Sequence, residues 1–350
     1  MVDKSKSTIT RRGAISGTLL GLGGFVGWLT HRLGGPSPVA KTPPKRGDNP
    51  YAYDISEFRR TDPKTLLFEE AGEFNPGFKT VRRIATVQNN SGSPHQLMVT
   101  GDKQIRIFET DGELVRSIPL EHTPHCTHLS KTGELFVGYA RHFDVHDAQG
   151  ARLHSTERFS DRSFITAIAT LDQQVFVADA GNREVILCDR KGQVQKRFGK
   201  VGDDPANPGF AVPSPYFDLC VNAEGKLIVA NPGRLRVETY SAQGVFKDSW
   251  GEPGMSIDRF SGCCNPVFFT MTGDGGFVTS EKGLARVKLH DATGKLLGLV
   301  AGPDFLITDK KLVKRAGQAA GGFDVAMTGD GSVHVLDPYR GTVRSFRPLC

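Results

Sequence analysis

Several scarcities in this 350-residue chain narrow its class before any motif is read. Six cysteines are too few for a disulfide scaffold at this length, and no CxxC pair occurs. The formal charge of +6 sits mostly at the N-terminus, where Lys4, Lys6, Arg11, Arg12 and Arg32 face only Asp3 within residues 1–40. The remainder is close to neutral and holds no basic block with interleaved aromatics, which argues against nucleic acid as a partner. A nucleophile elbow, an HExxH pair and a Gly-rich phosphate loop are all missing, so serine hydrolysis and nucleotide chemistry are disfavoured. Beyond the first 40 residues no segment keeps a helical period. Glycine (41) and proline (20) are plentiful, and without a short strict period they signify turns.

Arg11-Arg12 follow Thr8-Ile9-Thr10 and precede a weakly apolar run, Ala14–Leu29, interrupted by glycines. This stretch resembles a twin-arginine export signal, which implies a location on the periplasmic side of a bacterial membrane. The run is short of the roughly 20 residues that a membrane span needs. Ala40 ends a poor cleavage site, so residues 1–40 read either as a removed signal or as an anchor held through residues 14–29. Residues 41–62, rich in proline and charge, read as a tether.

The most informative feature is a repeat. Short β-type runs start at Leu97, Leu135, Val175, Leu227, Gly276 and Val333, spaced 38, 40, 52, 49 and 57 residues apart. Each is followed by a second run, and the first five pairs by a glycine turn (Gly112, Gly150, Gly192, Gly244, Gly294) and a third run. An apolar run also precedes each pair, giving four strands per unit, six times over. Such sheets cannot bury both faces alone, so they must stack and close radially. The sixth unit lacks a fourth strand, while Thr65–Glu70 has no unit of its own. The expected fold is therefore an all-β, six-bladed β-propeller of four-stranded antiparallel blades over residues 63–350, closed by an N-terminal strand.

Val175-Phe176-Val177-Ala178-Asp179-Ala180-Gly181-Asn182-Arg183-Glu184-Val185-Ile186-Leu187-Cys188-Asp189 resembles an NHL repeat core: an apolar strand, an Asp, a Gly-Asn loop with a basic residue, and a second strand. The resemblance spans roughly residues 64–347 and implies the propeller fold. It leaves function open, because that family ranges from protein scaffolds to lyases. Asn231-Pro232-Gly233-Arg234, Cys263-Cys264-Asn265-Pro266 and Glu281-Lys282-Gly283 further resemble a bacterial subset of exported NHL proteins. Six-bladed relatives also include metal-dependent lactonases and amidating lyases, whose metals are held by His, Asn and carboxylates.

Three long connections, Gly199–Tyr216, Gly251–Pro266 and Gly302–Gly322, share one face and point to a binding mouth on blades four to six. The adjacent Cys263 and Cys264 admit three readings: thiolate ligands for Cu or Zn, a vicinal disulfide, or small buried groups. Asn265, Glu281, Lys282 and Arg286 are candidate neighbours, a nearby cation favouring the thiolate. Asp218 and Asp324, each after a Phe at the start of an inner strand, either hold a cation or cap strand hydrogen bonds. His125, Cys126 and His128 in blade two face blade five across the axis and offer a second metal reading with the cysteine pair. Two functions follow. One is an exported binding or scaffold propeller serving a ligand, a metal or a protein partner in a periplasmic or membrane-associated redox complex. The other is a metal-dependent hydrolase or lyase.

Overall fold

The computed structural model describes residues 56–87, 96–202, 208–309 and 322–349. Arg11, Arg12, the apolar run 14–29 and most of the tether lie outside them.

Six four-stranded antiparallel sheets follow one another along the chain. Blade one is β2 (Val81–Val87), β3 (Gln96–Gly101), β4 (Gln104–Phe108) and β5 (Leu114–Pro119). Blade two is β6 (Cys126–Leu129), β7 (Leu135–Gly138), β8 (Phe143–His146) and β9 (Arg152–Ser155). Blade three is β10 (Ile165–Leu171), β11 (Gln174–Asp179), β12 (Glu184–Asp189) and β13 (Val194–Phe198). Blade four is β14 (Leu219–Val221), β15 (Leu227–Asn231), β16 (Arg236–Tyr240) and β17 (Phe246–Trp250). Blade five is β18 (Phe268–Met271), β19 (Phe277–Glu281), β20 (Arg286–His290) and β21 (Leu296–Ala301). Blade six joins β22 (Asp324–Met327), β23 (Val333–Asp337) and β24 (Thr342–Pro348) to β1 (Phe68–Phe74).

Burial explains the order within each blade. The second strand of every blade is covered on both faces by its neighbours, so runs such as Leu227-Ile228-Val229-Ala230 are apolar without alternation and wholly buried. The fourth strand faces water in most blades, β9 being exposed at every residue, whereas β21 is largely buried. The turns between third and fourth strands need a positive φ, met at Gly150 (φ 93°) and Gly294 (φ 85°), each donating its N–H to the carbonyl three residues back. Inner strands pack around the axis, β2 against β6 and β22, and β10 against β6 and β14.

The closure expected from the sequence is present, at a shifted position. Asp62 accepts a hydrogen bond from the Lys64 amide, and Pro63–Thr65 form a 3-10 turn, so the start of the Thr65–Glu70 run is spent on a turn. Leu66 instead bridges Leu299 of blade five, and pairing with β24 runs from Phe68 to Phe74. The last tether residues are ordered as well: the Thr61 amide donates to Asp304 at 3.2 Å.

Candidate functional site

At the starts of the six inner strands a ring of residues, Arg83, Cys126, Thr166, Asp218, Phe268 and Asp324, lines two adjoining hollows. Arg83 crosses that ring. Its Nη2 lies 2.9 Å from Asp218 Oδ1, its Nε 2.9 Å from Asp324 Oδ2, and its Nη1 donates to the Thr166 carbonyl at 3.1 Å. The guanidinium also stacks 4.5 Å from the centre of the Phe268 ring. Burial works against the charge on Arg83, but the two carboxylates outweigh it and hold its pKa above the ordinary value. Burial pushes Asp324 up to about 6, with Arg83 opposing. The carboxylates also accept strand amides: Ile84 and Val325 donate to Asp324 at 2.8 and 2.9 Å, and Phe269 donates to Asp218 at 3.2 Å. Asp218 and Asp324 thus face a cation that the protein carries itself and accept strand amides as well. Arg83 was not singled out in the sequence, where Arg82-Arg83 looks like any solvated pair. The signal was available in its position, two residues into an inner strand and facing two Phe-Asp inner strands.

Among the described residues no three His, Cys, Asp or Glu side chains converge on a metal-sized site. Cys126 is sealed: Gly138 leaves no room for even a Cβ beside its sulfur, and burial pushes the thiol up to about 12. His128 bonds Thr170 at 2.9 Å, and burial lowers it to about 4. His125 packs 4.7 Å from the Phe164 ring, with its pKa lowered by burial and by Arg82. Cys126 and His128 are thus engaged in blade two and its neighbours, while His125 Nδ1 is buried without a hydrogen-bond partner.

In blade five the candidates divide into two groups. Glu281 and Arg286 are buried beneath the connection that enters the blade. Glu281 receives Arg286 Nη2 at 2.5 Å and Lys288 Nζ at 3.1 Å, and it accepts the Ser261 amide at 3.3 Å. Arg286 and Lys288 donate onward to the carbonyls of Met255, Ser256, Ile257 and Arg259. They bracket a loop and have no capacity left for a ligand. Arg286 is spent on those carbonyls and is not the cation beside the thiols. Lys282 is: its field acts on Cys263, and its Nζ reaches Ser214 at 3.0 Å and lies 4.8 Å from the Tyr216 ring centre. Cys263 is exposed and Cys264 buried, both as free thiols, with sulfurs 3.2 Å apart. The Cys263 thiol is raised, first by its hydrogen bond with Cys264 and then by burial, and Lys282 only opposes this. The activating effect expected of a neighbouring cation is therefore outweighed. Asn265 is saturated by backbone, donating to Ser261 and Lys282 carbonyls at 2.6 and 3.0 Å and accepting the Lys282 amide at 2.9 Å.

Arg83 lines two hollows, one on each side of it. Below lies a channel of about 250 Å³ with His128, Cys220 and Thr270 in its wall. Above lies a bowl of about 200 Å³ walled by Arg82, His125, Phe164, Tyr216 and Phe268. Arg82 is exposed, and neither it nor Lys282 has a carboxylate partner among the described residues. The bowl therefore has an aromatic wall, a floor in which Arg83 offsets one of two carboxylate charges, Arg82 in its lining and Lys282 beside its Tyr216.

No protein-family model matches the chain, and no curated protein does so either. Solved structures do. A streptogramin B lyase aligns with a TM-score of 0.52 at 11% identity, over 79% of this chain and 97% of that one. A catalytically inactive virginiamycin B lyase from Staphylococcus aureus, solved with quinupristin, gives a TM-score of 0.51 at 10% identity over 79% and 85%. A protein of unknown function from Bacteroides thetaiotaomicron gives 0.52 at 14% over 80% and 71%. The fold is theirs. At these identities the likeness extends no further.

Proposed function

We propose that this chain is an exported binding propeller of NHL type whose bowl, above Arg83, takes a small ligand with an apolar body and an anionic group. One observation carries the reading. Arg83 closes the axis and offsets one of the two charges of Asp218 and Asp324, while Arg82 in the bowl's lining and Lys282, 4.8 Å from the Tyr216 ring of that lining, have no carboxylate partner among the described residues. Phe164, Tyr216 and Phe268 supply flat apolar surface for the body of such a ligand. The Arg11-Arg12 leader supports export, and a protein partner in a periplasmic complex fits a rigid mouth of this kind. The lyase alternative has less support, because Asp218, Asp324, Glu281 and Asn265 are already committed to protein partners.

The test is a fluorescence titration of the purified chain with 8-anilinonaphthalene-1-sulfonate, an aromatic anion. Saturable binding is expected, weakened about tenfold by each of Arg82→Ala and Lys282→Ala, the order of one charge-assisted hydrogen bond. Binding that does not saturate, or that ignores both substitutions, rejects the bowl as the site.

A further inference from the structure

The connection into blade five holds two thiols together and pins the chain on both sides of them. Ser261 donates its amide to Glu281 just before the pair, and Asn265 is bonded through both side-chain atoms just after it. Between these clamps the sulfurs are 3.2 Å apart, Cys263 facing solvent and Cys264 packed inside. Tetrahedral thiolate coordination, with Zn–S of about 2.3 Å, sets its sulfurs about 3.8 Å apart. The pair is tighter than that, and among the described residues no third ligand joins it. The peptide between the two cysteines is trans, so their Cα atoms are about 3.8 Å apart, below the roughly 4.4–6.8 Å of ordinary disulfides. A bond closed here is strained and accessible, and such bonds are exchanged rather than kept.

We propose that Cys263 and Cys264 are a reversible dithiol–disulfide site in the connection into blade five, exchanging with external disulfides. This goes beyond ligand binding and stands whatever the bowl holds. The oxidant is a low-molecular-weight disulfide such as oxidised glutathione. Cys263, as thiolate, attacks one sulfur of that disulfide; the S–S bond breaks, and the first glutathione leaves as a thiolate that takes up a proton. Cys264 then gives its proton to solvent and attacks the Cys263 sulfur, expelling the second glutathione. Two electrons pass from the protein dithiol to the oxidant, one S–S bond is lost and one is made. Reversal by excess thiol restores both cysteines. The division of labour follows from exposure, since only Cys263 is open to an incoming disulfide.

The reduced full chain is equilibrated with glutathione buffers of increasing oxidised fraction, quenched by alkylation and digested with trypsin. The peptide Phe260–Lys282 contains these two cysteines and no other. It is expected to pass from doubly alkylated to a form lighter than the unmodified peptide by two hydrogen atoms, and to return when thiol is added. Cys264→Ser is expected to stop at a glutathione adduct on Cys263. A peptide that stays doubly alkylated in the most oxidising buffer overturns the proposal. So does a stable glutathione adduct in the unaltered chain. Neither outcome bears on the dye titration, so the two readings fail separately.

Discussion

Blades two and five stand opposite each other in the ring and place opposite charges at the same point. Asp144 pairs with Val137 in blade two as Lys288 pairs with Thr279 in blade five, and Tyr139 takes the place of Glu281. A histidine follows in both, His146 and His290, each bonded through Nδ1 to the carbonyl of the next turn glycine. In blade five both of these residues are matched: Lys288 meets Glu281, and His290 Nε2 meets Thr279 at 3.1 Å. In blade two the match is loose. Asp144 is hydrogen-bonded by Tyr139 but has its ion-pair partners His142, His146 and Arg152 only at 3.7 to 3.9 Å, and Asp144 Oδ1 and His146 Nε2 are buried without hydrogen-bond partners. One scaffold position thus tolerates either sign of charge, but of these two blades it is blade five that uses it to bind down a long connection. That difference places the pinned cysteine loop in blade five.

The contrast breaks most visibly at Glu281. Glu281→Ala leaves Arg286 and Lys288 buried without a carboxylate, and urea unfolding is expected to show a loss of about 3–5 kcal/mol. A loss below about 1 kcal/mol means the bracket does not hold the loop. A second difference is in thiol reactivity. At pH 8 iodoacetamide is expected to modify Cys263 at least about a hundredfold faster than Cys126, which is buried and pushed up to about 12. Because Cys263 is also raised, its thiolate fraction grows as pH rises, and its rate should climb about tenfold per pH unit without a plateau below pH 8.5. Peptide mass spectrometry after timed quenching reads both. The smallest effect is expected in blade two: Asp144→Asn removes a buried charge whose ion-pair partners stand at 3.7 Å or more while keeping a side-chain acceptor for Tyr139, so the same unfolding measurement should move by less than about 1 kcal/mol.

Much of the ring was legible because a strand buried on both faces must be apolar throughout, and a turn with positive φ favours glycine. Leu135-Phe136-Val137-Gly138 and Gly150 announce blade two without any knowledge of its neighbours. The need to close the ring likewise identified an orphan N-terminal run, and only the local competition from Asp62 and Pro63 displaced the strand to Phe68. The site was less legible. Cys263-Cys264 and Lys282 stand out by composition and do lie together. Glu281 and Arg286 look identical in sequence whether they reach a ligand or each other, and burial decides between these. Arg83 is the clearest case: its partners lie more than a hundred residues away, in blades four and six, and only radial closure brings them within 3 Å.

The seam of that closure joins the first and last strands, β1 and β24. During synthesis β1 emerges before every other strand and waits, its backbone partner unmade, until residues 342–348 follow. A chain interrupted before then is an open arc with a raw sheet edge at each end, and two such arcs can join head to tail as readily as one can close on itself. Fidelity in making the final few residues therefore decides whether the product is a ring or the start of a polymer.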